Sequence, residues 1–161
     1  MKNKLRNREN VLVKNKKLFH NFFIKKTIQA GIVLKGWEVK NIRSKQADLV
    51  GSYIKISYRE AFLCNFFLNN KNCNFNNIEN NQDKSFLNKK LLLKKYEILN
   101  LKNILKKNGY TIVPIEFYLK NQWIKLKIGI AIGKKKHDKR SSEKKRNWMI
   151  EKNRLTKRYN N

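Results

Sequence analysis

The sequence has few acidic residues, and of all features of its composition this shortage is the most informative about its binding partners. Of 161 residues, 11 are Asp or Glu and 39 are Lys or Arg, which leaves a formal net charge of +28. Frequent Lys and Asn are typical of AT-rich coding DNA, but that bias does not explain the scarcity of acids. A cation excess of this size destabilises a compact chain by self-repulsion unless a polyanion is bound. The composition therefore favours nucleic-acid binding.

The chain also lacks the residues that metal sites and enzymatic catalysis usually need. Its only cysteines are Cys64 and Cys73, and His20 and His137 lie far from them in very different contexts, so we predict no metal site. It contains no Gly-rich phosphate loop, no nucleophile elbow and no His-x-Glu pattern. We expect a protein that is not an enzyme and that needs no cofactor.

Long hydrophobic runs are missing as well. No apolar run approaches the length that spans a bilayer, and the N-terminus has no apolar signal core. We therefore expect no membrane association and a cytoplasmic location.

The clearest pattern is the alternation between Trp123 and Gly133. Ile and Leu occupy every second position, and Lys125 and Lys127 lie among the intervening ones. A period of two predicts a strand with one buried face and one face that is solvated or bound to a partner. Lys125 and Lys127 are then expected to project from a rigid sheet, where fixed cations can follow a phosphate backbone. Trp123 shares their face and is suited either to stacking on a base or to packing under a loop, and packing is slightly favoured.

Five to six strands are expected from β-branched and aromatic runs that turn residues separate. The clearest are Leu18–Leu34, Gly51–Ser57, Ala61–Leu68, Tyr110–Leu119 and Trp123–Gly133. Gly31, inside the strand expected at Leu18–Leu34, suggests a bulge or a bend. Pro114, inside the strand expected at Tyr110–Leu119, suggests an edge strand or a bulge. The short turn before Trp123 makes the last two strands a hairpin.

Two helices are expected, a short one at Trp37–Lys45 and a longer one at Leu91–Asn108, which has an apolar stripe at helical spacing. The Asn-rich residues 69–86 are expected to form a long surface loop. Strands joined mostly by short turns predict a mainly β fold, a small antiparallel barrel of the oligonucleotide-binding kind with a basic C-terminal tail. The expected division is a flexible basic N-terminus at 1–17, an RNA-binding barrel domain at 18–133 and the tail at 134–161.

The tail begins with a basic run that contains His137 next to Asp138. We expect this run to be unstructured, so the two residues are not positioned for proton transfer. His137 is better suited to stacking on an exposed base among cations. A solvated charge run is the alternative.

Four stretches stand out as motifs: 30–43 (AGIVLKGWEVKNIR), 90–93 (KLLL), 123–129 (WIKLKIG) and 133–140 (GKKKHDKR), of which the last is highly specific. Together they resemble the SsrA-binding protein family, also called small protein B. The resemblance covers residues 15–159 apart from 65–88. It implies a barrel that binds the tRNA-like domain of transfer-messenger RNA and enters stalled ribosomes with that RNA. The tail then replaces the missing codon–anticodon pairing in the decoding centre.

The resemblance also implies roles for particular residues. The positions that contact RNA are Gln29, Leu92, Lys94 and Lys125, to which the strand pattern adds Lys127. The positions of the tail that act in the decoding centre are His137, Asp138, Lys139, Arg140, Trp148 and Leu155. The chain departs from the family pattern at Gln29, where Glu is usual, at Lys94, where a smaller polar residue is usual, and at Phe22, where Tyr is common.

The tail from 141 to 158 has helix-forming residues but only a narrow apolar line, which contains Trp148 and Leu155. We predict that it is disordered in the free protein and helical in the ribosomal mRNA channel, where rRNA phosphates neutralise its lysines. The favoured function is a monomeric adaptor in ribosome rescue. The alternative is a structural ribosomal protein, which would share the charge and the tail.

Overall fold

A computed structural model describes residues 10–68 and 87–159, and an antiparallel sheet organises them. The strands in these residues are β1 (Asn10–Lys14), β2 (Phe22–Ile32), β3 (Ala47–Asp48), β4 (Tyr53–Ser57), β5 (Glu60–Leu68), β6 (Leu87–Leu92), β7 (Tyr110–Lys120) and β8 (Trp123–Gly133). The helices there are α1 (Leu18–Asn21), α2 (Gly36–Arg43), α3 (Lys95–Leu105) and α4 (Lys136–Tyr159).

The strand order is β1, β7, β8, β2, β6, β5, β3, and β4 pairs with β5. β4 also comes close to β7, so the sheet curls into a nearly closed barrel. One hydrophobic core fills it, where the rings of Phe66 and Phe117 meet edge to face with centroids 5.3 Å apart. Leu101 of α3 is fully buried against the same core, so the helical stripe is a core contact. The predicted antiparallel barrel with a few helices is confirmed.

β8 has the buried face that its alternation predicts, but only part of its other face is open, because the rest is covered by a second hydrophobic cluster. The Ile and Leu positions from 124 to 130 are buried in the main core. On the opposite face, Gly129 and Ala131 are covered by a second small cluster that includes Ile115. A Cβ at Gly129 would lie 2.9 Å from Cδ1 of Ile115, so a larger residue at this position would displace the Ile115 side chain. Only the half that carries Lys125 and Lys127 remains open.

β7 contains a bulge where Pro114 suggested one. Its register with β8 shifts between Pro114 and Glu116. The shift moves Ile115 into the second cluster, whereas Phe117 faces the main core. The extra residue therefore breaks the simple alternation expected for this strand.

β2 is shorter than the strand expected from Leu18 to Leu34, because α1 takes its first four residues. Its register with β8 shifts between Ile24 and Lys26 and is regular at Gly31, so of the two alternatives predicted at Gly31, a bulge or a bend, the bulge is excluded. A Cβ at Gly31 would lie 3.1 Å from Cβ of Leu92 on β6. The close approach of the neighbouring strand explains this glycine.

Two other predictions are wrong because pairing with distant strands makes β-strands of segments whose local sequence predicts a flexible terminus or a helix. β1 lies within the stretch 1–17 that was expected to be flexible, and it pairs with β7. The helix expected from Leu91 begins only at Lys95, since Leu91 and Leu92 belong to β6, between β5 and β2. Leu and Lys have good helix propensity, but cross-strand pairing overrides it. Residues 1–9 and the loop predicted at 69–86 lie outside the described residues.

A buried ion pair joins α2 to β6. Glu38 is fully buried, and its Oε1 pairs with Nζ of Lys89. Its Oε2 accepts a hydrogen bond from the backbone N–H of Lys35 at 2.8 Å, which caps α2. Removing one partner of a buried pair costs about 3–5 kcal/mol, because the other charge is left without compensation. The helix expected at Trp37–Lys45 is therefore present and fixed to the barrel.

The hairpin between β7 and β8 is as predicted. Asn121 and Gln122 form its turn with φ angles of +48° and +67°, and Lys120 pairs with Trp123. Positive φ at both turn residues is the type I′ geometry that fits the twist of paired strands.

The tail is helical from Lys136 to Tyr159, and at about 1.5 Å per residue it extends about 36 Å. The helix expected at 141–158 begins earlier than predicted, so His137 and Arg140 lie in its first turns and not in an unstructured run. Loss of this helix in the free protein stays a prediction. Hydrogen exchange across 144–156 tests it, and slow exchange without RNA would contradict it.

Candidate nucleic-acid interface

Lys125, Gly31 and Leu92 form a row across three adjacent strands, and this row is the floor of the candidate site. Gly31 of β2 lies opposite Lys125 of β8 on one side and opposite Leu92 of β6 on the other. Directly paired residues share a face, so all three lie on the outer face of the sheet. Leu92 is 56% exposed although it lies in a strand. The missing side chain at Gly31 leaves a depression between the lysine and the leucine.

The start of α3 forms one wall of this depression. The backbone N–H of Lys94 donates a hydrogen bond to Oε2 of Glu97 at 2.8 Å, which holds Lys94 at the N-terminus of the helix. Gln29, two residues before Gly31, lies on the same face of β2. The residues that line the resulting cleft of about 530 Å³ include Gln29, Leu92, Lys94 and Lys125. Four of the five residues predicted to contact RNA are therefore neighbours.

The acids beside the cleft are engaged, so the cleft presents mainly positive charge. Glu60 pairs with a neighbouring lysine, and Glu97 caps α3. Within the described residues, Lys94, Lys95 and Lys125 form no ion pair. Ammonium groups held on a rigid surface bind a phosphate backbone. The cleft can therefore hold a polyanion, with the exposed leucine beneath a sugar or a base.

Lys127 and Trp123 lie outside the cleft. Nζ of Lys127 is 2.8 Å from Oε1 of the buried Glu116 and 5.5 Å from the ring centroid of Tyr118. Lys127 thus neutralises a carboxylate on β7, a partner that alternation along β8 cannot reveal. Trp123 is 75% exposed, so the slight preference for packing under a loop is wrong.

Three further cations line the cleft that were not predicted to contact RNA, namely Arg59, Lys90 and Lys95, and Lys90 is the lysine that pairs with Glu60. Arg59 comes from the turn between β4 and β5, and no local signal distinguishes it from other surface arginines. Lys95 is the first residue of α3, so a correct start for that helix would have identified it.

α4 is attached to the barrel at its first turns. Nζ of Lys134 donates to the carbonyl oxygen of Phe19 at 2.9 Å and to Oγ of Ser142 at 3.1 Å. The same ammonium lies 4.7 Å from the ring centroid of Phe23. One cation thus joins α1, β2 and α4. From Glu143 to Thr156 every described side chain of α4 is exposed, so this part of the helix projects from the barrel.

A second contact joins His20 of α1 to Glu143 of α4, with Nε2 and Oε1 2.6 Å apart. This hydrogen bond raises the pKa of His20 above its ordinary value, because the carboxylate stabilises the imidazolium. A hydrogen bond to Asn21 acts in the same direction, whereas the charge of Lys139 opposes it. The contact between α1 and α4 is therefore stronger when His20 is protonated.

Asp138 and His137 have different surroundings in the first turn of α4. Oδ2 of Asp138 accepts a hydrogen bond from the backbone N–H of Lys135 at 3.1 Å and caps the helix. The side chain of His137 is 77% exposed, and its Nε2 lies 3.1 Å from Oδ1 of Asp138. The aspartate thus caps the helix, whereas the imidazole is largely exposed although it lies beside the aspartate.

The other predicted tail residues are spread along α4. Arg140 and Trp148 line one shallow groove on the helix, and Trp148 is 62% exposed. Lys139 is half-buried at the attached end. Leu155 lies about two turns beyond Trp148 and is 49% exposed. The structure therefore brings Arg140 and Trp148 together and keeps Leu155 on the same line farther out.

Two further findings concern the described residues only. Among residues 10–68 and 87–159, no group of three or more His, Cys, Asp or Glu is placed to hold a metal ion. No helix in those ranges combines the length and the apolar character that crossing a membrane requires.

The profile of the SmpB protein family matches residues 12–158 of this chain. SsrA-binding proteins of Buchnera aphidicola subsp. Acyrthosiphon pisum, strains Tuc7 and 5A, are each 39% identical over 159 residues, which are 98% of this chain and 95% of theirs. A solved structure described as "tmRNA-SmpB: a journey to the center of the bacterial ribosome" superposes with a TM-score of 0.59 at 31% identity and covers 79% of this chain and 90% of that chain. The chain therefore belongs to the SmpB protein family.

Proposed function

We propose that this chain is an RNA-binding adaptor for trans-translation, which binds the tRNA-like domain of transfer-messenger RNA and delivers that RNA to stalled ribosomes. The observation that carries the proposal is the convergence of Gln29, Leu92, Lys94 and Lys125 on one cationic cleft. Family membership supports it, because the relatives are named SsrA-binding protein and the matched structure is described by tmRNA and the bacterial ribosome.

The cleft binds RNA by its backbone and its shape. Lys94 and Lys125 hold phosphates on opposite sides of the depression, while Leu92 packs against a sugar or a base. Gln29 offers both a donor and an acceptor and, unlike glutamate, does not repel phosphate. Lys127 takes an indirect part, since it neutralises Glu116 and keeps this face of the sheet free of negative charge.

The tail acts in the decoding centre of the small subunit and in the mRNA channel. Residues 134–161 contain twelve Lys or Arg and three Asp or Glu, so a helix there needs surrounding phosphates to offset its self-repulsion. Asp138 and Lys139 set the direction of α4 at the barrel. The exposed His137 and Arg140 contact bases of the decoding centre, and Trp148 and Leu155 pack against the channel wall.

The same proposal covers how the protein works in the cell. It acts as a monomer in the cytoplasm, and it carries out no chemical step of its own. Its contribution is to hold one RNA and to place it in the ribosome.

Sequencing the RNA that co-purifies with the tagged protein tests the proposal. We expect one small stable RNA with a tRNA-like end, strongly enriched over ribosomal RNA. A variant in which Gln replaces Lys94 and Lys125 loses two cleft cations without added bulk. It should lose the enrichment of this RNA. If the protein instead remained in ribosomal subunits at unit stoichiometry after a high-salt wash, it would be a structural ribosomal protein.

A further inference from the structure

Beside the cleft lies a second groove that the contacts proposed above do not use. It has a volume of about 390 Å³, between the β4–β5 turn and the outer side of α3. Tyr58 on the turn is 93% exposed, and Leu99 on α3 is 59% exposed. An aromatic ring and an aliphatic side chain thus line the same open groove.

Folding does not explain the tyrosine in this turn. Tyr58 is the first of two residues between the paired Ser57 and Glu60, and its φ is +53°. That backbone region favours Gly, Asn or Asp in a two-residue turn, and a bulky side chain there is an outlier. Burial offsets none of this strain, because almost the whole side chain is exposed. No packing contact within the described residues therefore accounts for a large ring at this position.

The charge around the groove indicates what kind of partner this ring would bind. Arg59, Lys95 and Lys102 line it, and none of them forms an ion pair within the described residues. Arg59 and Lys95 also line the cleft that contains Lys125, so the two depressions are adjacent and share these two cations. Cations that follow a backbone beside an exposed aromatic ring are the composition of single-stranded nucleic-acid sites.

We propose that Tyr58 stacks on an unpaired base of the RNA that occupies the cleft, while Arg59 and Lys102 hold the adjoining phosphates. Leu99 packs against the same nucleotide. This inference rests on the proposed function, because it requires an RNA already held by Lys125. It extends the contact from the sheet to the outer side of α3.

The affinity for a transcript of the tRNA-like domain, measured at several salt concentrations, tests the inference in the full-length chain. Tyr58→Ala should weaken binding about fivefold to a hundredfold, which is the range that stacking on one base contributes. The slope of log K against log salt should stay unchanged, because no phosphate contact is removed. Tyr58→Phe keeps the ring and should bind like the wild type. Tyr53→Ala is the matched control, because it removes a half-exposed tyrosine of β4 that lines neither depression.

Tyr58→Gly separates binding from folding. Glycine relieves the positive φ, so the thermal midpoint should be unchanged or higher while the affinity falls as in Tyr58→Ala. A peptide containing Tyr58 that cross-links to the transcript under ultraviolet light would support the stacking directly. Equal affinities for wild type and Tyr58→Ala would overturn the inference and leave the proposed function intact. If the wild type itself did not bind the transcript, both would be overturned.

Discussion

The cleft and α4 both carry dense positive charge, but they hold it in different ways. In the cleft, strand pairing fixes the backbone of Lys125 and a helix cap fixes that of Lys94. In the described part of α4, contacts to the barrel are confined to its first turns, and the side chains from Glu143 to Thr156 are exposed. The cleft is thus a preformed surface, whereas α4 is a projecting charged helix.

This difference indicates two kinds of RNA contact. A preformed cleft loses little conformational entropy on binding, so it suits one RNA of matching shape. A helix whose side chains carry like charges is unstable on its own, and surrounding phosphates stabilise it by neutralising those charges. Such a helix suits a channel lined by rRNA. Affinity for the free RNA should therefore reside in the barrel, and activity on the ribosome should reside in α4.

The largest effect is expected from ending the chain after Gly133. The main-core positions all precede this residue, so the barrel should fold and keep most of its affinity for the tRNA-like domain. Tag addition on stalled ribosomes should be abolished. A longer version that ends at Asn147 keeps the attachment of α4 and shows whether the outer helix is also needed. Loss of RNA affinity in parallel with rescue activity would contradict the division into two regions.

His137→Ala should reduce tag addition about tenfold or more, because base stacking contributes about 1–3 kcal/mol. Its affinity for transfer-messenger RNA should not change, since the ring lies on α4. His137→Phe keeps a flat ring and should retain more activity than the alanine variant. Rapid single-turnover tagging assays measure the difference, and normal tagging by His137→Ala would remove the stacking role.

Lys125→Ala should weaken binding to the tRNA-like domain about tenfold, as expected when a charged contact is lost. The slope of log K against log salt should fall by about 0.7 to 0.9, the contribution of one phosphate contact. Lys55→Ala is the matched control, because it removes an equal charge from an exposed lysine of β4 that does not line the cleft. If both variants bound alike, Lys125 would not lie on the binding surface.

The smallest effect concerns pH and the contact that joins the two regions. The pKa of docked His20 is raised above about 6.5, so its stabilisation of docking is complete below that pH and is lost as the pH rises through the raised pKa. An NMR titration of the imidazole in the full-length chain measures this pKa. Glu143→Gln should return it towards its ordinary value, whereas Glu151→Gln, farther along α4, should not. An unchanged pKa in Glu143→Gln would mean that α4 does not dock on α1 in solution.

Sequence-based prediction succeeded where the signal is local. The alternation in β8, the turn at Asn121 and Gln122 and the bulge at Pro114 all depend on a few neighbouring residues. It failed where a distant strand decides the structure. The Leu-rich run that became β6 has good helix propensity, and only its pairing with β5 and β2 makes it a strand.

Prediction of the site residues from local sequence is limited in the same way. Only the family resemblance indicates Gln29, Leu92 and Lys94, because no local pattern distinguishes them from other surface residues. No property of the turn sequence indicates that Arg59 lies beside Lys125, since 66 positions separate them in the chain. The start of α4 was misplaced for a related reason. Its cap by Asp138 and its attachment through Lys134 stabilise a basic run that has no apolar face of its own.

The sequence by itself determined the cation excess, the alternating strand and the basic tail, because composition and period are properties of the chain before it folds. Only the tertiary structure decided which cations are available to RNA. Lys125 and Lys127 are equivalent in the alternation of β8, yet β7 places Glu116 beside Lys127, and β2 places Gly31 opposite Lys125. The carboxylate of Glu116 neutralises the ammonium group of Lys127, whereas Lys125 lies beside an open depression. That distinction depends on neighbouring strands, which no period along one strand can encode.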